Sequence, residues 1–137
     1  MIQGLHHVAF VVESVDSGMD FADRAFGIKP VSRRKFEDQG IDLAIYQLGD
    51  TYFELTAPIG DDSALAKFLR EKGPGIHHVA FGVPDISEAV ATLVEREVRI
   101  LGLGPTVGKS GWTVVNLDSQ PHLGIAIQLV QKVQGIG

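Results

Sequence analysis

A nine-residue stretch occurs twice in this chain, and that duplication limits the possible folds more than any other feature. Gly4-Leu5-His6-His7-Val8-Ala9-Phe10-Val11-Val12 is echoed by Gly75-Ile76-His77-His78-Val79-Ala80-Phe81-Gly82-Val83, at an offset of 71 residues. Self-similarity at a fixed offset marks a duplicated structural unit. A second echo closes each half, where Tyr52-Phe53-Glu54-Leu55 matches Ala126-Ile127-Gln128-Leu129 at an offset of 74. A gap of three residues inside the repeat accounts for the change. With 137 residues in all, the chain has room for one compact domain or two small fused halves, not for a third.

Within each half the periodicity switches from strand to helix and back. Val15–Phe26 and Ile86–Val98 place apolar residues at helical spacing after a capping signal, Asp85 with Glu88 forming a capping box. Segments 30–36, 41–48, 51–57, 99–102, 113–117 and 124–130 read as strands, with Gly49-Asp50 as a hairpin turn. Each half is therefore strand, helix, three strands, an α+β pattern. Residues 61–72, opened by Asp61-Asp62-Ser63 and closed by Gly73-Pro74, carry Leu65, Phe68 and Leu69 on one stripe and read as a connecting helix. The expected organisation is a single domain of two modules, 1–58 and 75–131, joined by residues 59–74.

Composition narrows the function. A chain with 45% hydrophobic and 21% charged residues can bury a core. Its net charge of −5 provides no positive field for nucleic acid or an anionic membrane surface, so neither is expected as a partner. No apolar run approaches the ~20 residues that span a bilayer, and the start is polar, so a soluble cytoplasmic protein is expected. The absence of cysteine removes disulfides, thiolate metal sites and cysteine nucleophiles together. Any metal must bind through nitrogen and oxygen.

Strand side chains alternate between faces, so only one histidine of each doublet can face a shared pocket. His6, Val8, Phe10 and Val12 form the bulkier, more apolar set and suit packing against the helix, as do His77, Val79, Phe81 and Val83. His7 and His78, each beside a small Ala, are left to face a cleft. Glu54 and Gln128 lie on apolar strands, where a charged or amide group is costly without a partner. Two imidazoles, a carboxylate and an amide oxygen make an octahedral metal set with positions left for water or substrate. Four polar residues at matched positions of a duplication are hard to explain by packing alone.

With these stretches in view, the sequence resembles the vicinal oxygen chelate (glyoxalase/bleomycin resistance/dioxygenase) superfamily, and within it the methylmalonyl-CoA epimerase branch. The His-His-Val-Ala stretches at 6–9 and 77–80 carry the superfamily resemblance. Asp62-Ser63-Ala64-Leu65-Ala66-Lys67-Phe68-Leu69 and the second doublet point to the epimerase branch. The resemblance implies paired βαβββ modules, a homodimer, and one divalent metal ion (Co, Ni, Mn, Zn, Fe or Mg) on His7, Glu54, His78 and Gln128. It also implies a small-molecule acyl-thioester substrate, epimerised by proton removal next to the thioester carbonyl through a metal-stabilised enolate.

One departure from the family matters. The last family ligand is commonly Glu and is here Gln128, which can offer a carbonyl oxygen but cannot accept a proton near neutral pH. Some epimerases also carry Glu where this chain has Leu43. Glu54 is the one acidic residue among the four, so it is the expected base, although it would have to loosen any metal bond to act. The alternatives are a glyoxalase-type lyase, an extradiol dioxygenase, disfavoured because its carboxylate comes from the last strand, and a non-catalytic small-molecule-binding protein on the same scaffold.

Other features read more plainly. Gly104-Pro105-Thr106-Val107-Gly108-Lys109-Ser110 has three residues between its outer glycines where a phosphate-binding loop needs four, and is expected to be a loop entering a strand. Arg33-Arg34-Lys35 reads as a solvated face, with recognition of a CoA phosphate as the alternative. His122 reads as a surface histidine, and Trp112 and Phe36 either line an acyl pocket or pack in the core.

Overall fold

The structure is a computed structural model and describes residues 1–132. The chain divides into two compact units, one of residues 8–77 and one of residues 1–7 with those from 78 onward. Strands β1 (Leu5–Val11) and β5 (Gly75–Val83) each contribute residues to both. The βαβββ order occurs twice and the fold is α+β.

In the unit of residues 8–77, β1 leads into α1 (Val15–Phe26), β2 (Ser32–Phe36), a 3-10 turn at Glu37–Gln39, β3 (Ile41–Leu48), β4 (Thr51–Pro58) and α2 (Ala64–Lys72). The strands lie in the order β2-β3-β4-β1. The ends of α1 are local in origin. Ser14 is extended and its Oγ accepts the Ser17 N–H at 3.1 Å, while Gly27 adopts φ 66° and donates its N–H to the Asp23 carbonyl. β3 and β4 pair from Leu48↔Thr51 onward, so Gly49 at φ 65° and Asp50 form the expected two-residue hairpin link.

The helix face of this sheet is the apolar one. Val15 and Ala22 of α1 pack on Ala44, Tyr46, Leu55 and Ala57, flanked by Phe10, Val12 and Phe53. At Gly18 a Cβ would stand 2.9 Å from Leu55 Cδ1, which is why α1 can approach β4 this closely. Tyr46 stacks on Phe53 at 4.7 Å. In the basic run, Arg34 and Lys35 are exposed as expected, but Arg33 is not a free cation. Its guanidinium is paired with Asp42 and, at 3.1 Å, with Asp16, tying β3 to the first turn of α1.

In the other unit, β5 is followed by α3 (Ile86–Glu95), β6 (Ile100–Val107), β7 (Thr113–Leu117), α4 (Gln120–Leu123) and β8 (Ala126–Gln131), with strand order β1-β5-β8-β7-β6. β5 and β8 run parallel, and β7 is antiparallel to both β6 and β8. Val83, Ile86, Ala89, Leu93, Val115 and Leu129 form the core under α3. Among the described residues no helix is long and apolar enough to cross a membrane.

Several expected boundaries move. The second helix stops at Glu95 rather than Val98, because Glu97 turns left-handed at φ 59° and the Val98 N–H returns to the Leu93 carbonyl at 2.8 Å. The connecting helix starts at Ala64, three residues past Asp61, since Ser63 Oγ caps the Ala66 N–H at 3.0 Å. Strand 99–102 extends to Val107 and takes in Gly104–Val107, which were expected to be loop. Pairing resumes at Thr106↔Val114 after a register shift, with Gly102 and Gly104 at positive φ in the break. The short helix α4, which carries the exposed His122, has no counterpart in the sequence reading.

Candidate functional site

Alternation along the strands assigns the faces. Leu129 and Val83 belong to the core under α3, so Gln128 and Val130 on β8, and His78 and Ala80 on β5, take the opposite face. There Ala80, Val114 and Val130 form a small cluster with Trp112 packed against it.

His7, only 1% exposed, is held on three sides. Its Nε2 lies 3.1 Å from His78 Nε2 and its Nδ1 lies 2.9 Å from His6 Nδ1. Trp112 stacks on its ring at 4.6 Å and meets the His6 ring edge-on at 4.7 Å. The three rings are thus linked nitrogen to nitrogen, with the donor at each contact set by the tautomer. Sequence reasoning placed His6 against the helix and missed this role. Alternation fixes where successive Cβ atoms point, but Nδ1 stands two bonds further out and can swing back to a neighbour. Trp112, for which the sequence leaves acyl pocket and core open, packs on the apolar cluster and on both imidazoles.

Burial governs the charge of these rings. It pushes His7 down to about 3, with His78 and then His6 adding to the effect, and pushes His6 down to about 4, with Lys132 adding. Both are neutral at pH 7 and carry the lone pairs a metal requires. His77, in the other unit, packs on Phe68 at 4.8 Å, and burial followed by Lys72 lowers it too.

Glu54 sits in the unit of residues 8–77. Its neighbours Phe53 and Leu55 pack under α1, so its carboxylate takes the opposite face, 7% exposed and paired across the strands with Ile45. Leu43, 1% exposed, shares that face. Gln128, half-buried, lies between Ala80 on β5 and Asn116 on β7. Among the described residues no group of three or more His, Asp or Glu side chains is gathered for a metal ion. The pair His7–His78 nonetheless fits one. Two cis ligands at ~2.1 Å from a common ion stand about 3.0 Å apart, close to the 3.1 Å between the two Nε2 atoms. His6 Nδ1 stands 2.9 Å from His7 Nδ1, where it would supply the outer hydrogen bond of a ligating imidazole.

The sequence profile described as the Glyoxalase/Bleomycin resistance protein/Dioxygenase superfamily matches residues 6–115. The mitochondrial methylmalonyl-CoA epimerase of Dictyostelium discoideum is 34% identical over 130 residues, 93% of this chain and 78% of the relative. The ethylmalonyl-CoA/methylmalonyl-CoA epimerase of Cereibacter sphaeroides is 34% identical over 134 residues, 96% of this chain and 99% of the relative. Among solved structures, a methylmalonyl-CoA epimerase in complex with methylmalonyl-CoA and NH4+ superposes with a TM-score of 0.87 at 26% identity, covering 98% of this chain and 97% of that one. The crystal structure of methylmalonyl-CoA epimerase from Mycobacterium tuberculosis gives 0.85 at 27% identity, covering 96% and 89%. The chain thus belongs to the glyoxalase/bleomycin resistance protein/dioxygenase superfamily, and within it resembles the methylmalonyl-CoA epimerases over nearly its whole length.

Proposed function

We propose that the chain epimerises methylmalonyl-CoA or a related 2-substituted acyl-CoA, with His7, Glu54, His78 and Gln128 as ligands of one divalent metal ion and Glu54 as the proton acceptor. The observation that carries this reading is the contact of the buried, neutral His7 with the half-buried His78, whose Nε2 atoms stand at the spacing of two ligands on one ion. A divalent ion held there would act as a Lewis acid toward the thioester carbonyl, lowering the cost of negative charge on its oxygen. His6 and Trp112 keep the His7 ring from rotating, so its Nε2 stays aimed at His78.

Proton transfer falls to Glu54. The C2–H bond breaks, its electron pair moves into the enolate of the thioester, and the proton rests on the carboxylate, loosened from any metal bond so that it regains basicity. Return of a proton to the opposite face of C2 inverts the centre. Gln128 cannot donate that proton as a carboxylic acid would, so reprotonation comes from solvent or from Glu54 after the enolate turns. Either route exposes C2 to exchange with water.

The test is incubation of methylmalonyl-CoA and ethylmalonyl-CoA in D2O with protein loaded with Co2+. Inversion at C2 accompanied by deuterium incorporation, lost with a chelator and restored by Co2+, is the expected result. Absence of C2 exchange in both thioesters with Co2+ bound would overturn the assignment.

A further inference from the structure

An amide used as a metal ligand has a problem that a carboxylate does not. Either oxygen of Glu can face the ion, but Gln must present its oxygen and turn its NH2 away, and the two orientations differ by a flip of the terminal torsion. Something beside Gln128 must accept from that NH2 for the ligating orientation to dominate. The strand register supplies one residue directly across from Gln128 on each side. On β5 it is Ala80, which has no polar side chain, and on β7 it is Asn116. Directly opposed residues of an antiparallel pair share a face, with Cβ atoms about 4.5–5.5 Å apart, within reach of two amide side chains. The face shared by Asn116 and Gln128 is the one that carries His78, and Asn116 is exposed there rather than committed to the core.

Resting on the metal reading of the proposed function, we infer that Asn116 is a positioning residue for Gln128: its Oδ1 accepts a hydrogen bond from the Gln128 NH2 and leaves the Gln128 Oε1 to the ion. The chain would then meet the loss of the family's usual Glu with an outer-shell partner that a Glu at this position would not need. Such partners are typically worth 10–100-fold in metal affinity. Asn116 touches neither the ion nor the acyl group in this arrangement. Its effect must run through the identity of residue 128.

That dependence makes a double-mutant cycle decisive, read by Co2+ titration calorimetry rather than by turnover. Asn116→Ala, at an exposed strand position, should weaken Co2+ binding about 10-fold or more in the otherwise native chain. In the Gln128→Glu background, where either oxygen can ligate, the same change should cost less than about 3-fold. Asn116→Asp, which keeps the acceptor, should hold Co2+ at least as tightly as the native chain. An unchanged affinity for Asn116→Ala, or equal losses in the two backgrounds, would overturn the positioning role while leaving the metal site standing. If the native chain binds no Co2+, or if His7→Ala has no effect on its binding, the parent reading fails and the inference falls with it.

Discussion

The buried, neutral His7 ring makes a sharp prediction about acid. His7 has its folded-state pKa pushed down to about 3 by burial, against an ordinary value of 6.5. Between these values the unfolded chain binds a proton at His7 that the folded chain refuses. Stability therefore rises with pH across the window, is complete above about pH 6.5, and drains away as the pH falls below it. Each pH unit is worth up to about 1.4 kcal/mol for one such group, so from pH 6.5 to 5 His7 alone removes about 2 kcal/mol. The lowering of His6 acts in the same direction. The lower limit of pH 5 keeps most carboxylates out of the titration. With a chelator present, urea unfolding should show the midpoint falling by about 1 M over that range, for an m-value of 1–3 kcal/mol/M. His7→Gln, which has no titrating ring, should lose about 1.4 kcal/mol per pH unit of that slope. A native chain whose slope matches that of His7→Gln, or a His7 ring whose resonances titrate near 6.5, would refute the reasoning.

Three further outcomes follow from particular contacts. Glu54→Gln should cut C2 deuterium exchange by about 10²-fold or more, with far-ultraviolet circular dichroism unchanged; exchange at the native rate with Co2+ still bound would place the base elsewhere. Tyr46→Phe removes a buried hydroxyl that has no hydrogen-bond partner among the described residues, while its ring stacking on Phe53 remains. Its denaturation midpoint should therefore stay level or rise, by up to about 1 kcal/mol equivalent, and a loss above about 1 kcal/mol would show that the hydroxyl is bonded. Ser119 Oγ donates to the Ile125 carbonyl and accepts the Ile127 N–H, both at 2.8 Å, at the start of β8. Ser119→Ala should cost about 1–3 kcal/mol, and a change under about 0.5 kcal/mol would show that the backbone finds other partners.

Some of this was legible before any coordinates. The duplicated His-His-Val-Ala stretch, with an amphipathic helix after each copy, is enough to set βαβββ twice. The starts of α1 and α3 were readable because their caps are local: Ser14 and Asp85 satisfy backbone donors three residues ahead, whatever the rest of the chain does. Helix and strand ends that depend on distant partners were not. Gly104–Val107, with its glycine and proline, has the composition of a loop and becomes strand only where β7 pairs with Thr106 and Val107.

The candidate site divides along the same line. Side-chain alternation is a property of any strand, so the sequence alone determined that His78 and Gln128 share one face of their sheet and that Glu54 turns away from α1. What sits against those residues was decided by tertiary structure. His7 and His78 are 71 residues apart and meet at 3.1 Å, and His6 reaches back to His7 despite pointing its Cβ the other way. Trp112 stacks on His7 only because β7 begins beside the cluster of Ala80, Val114 and Val130. The same holds for charge. Composition reports five histidines but not their protonation, since a pKa depends on how much water surrounds the ring, and burial is a property of the folded chain.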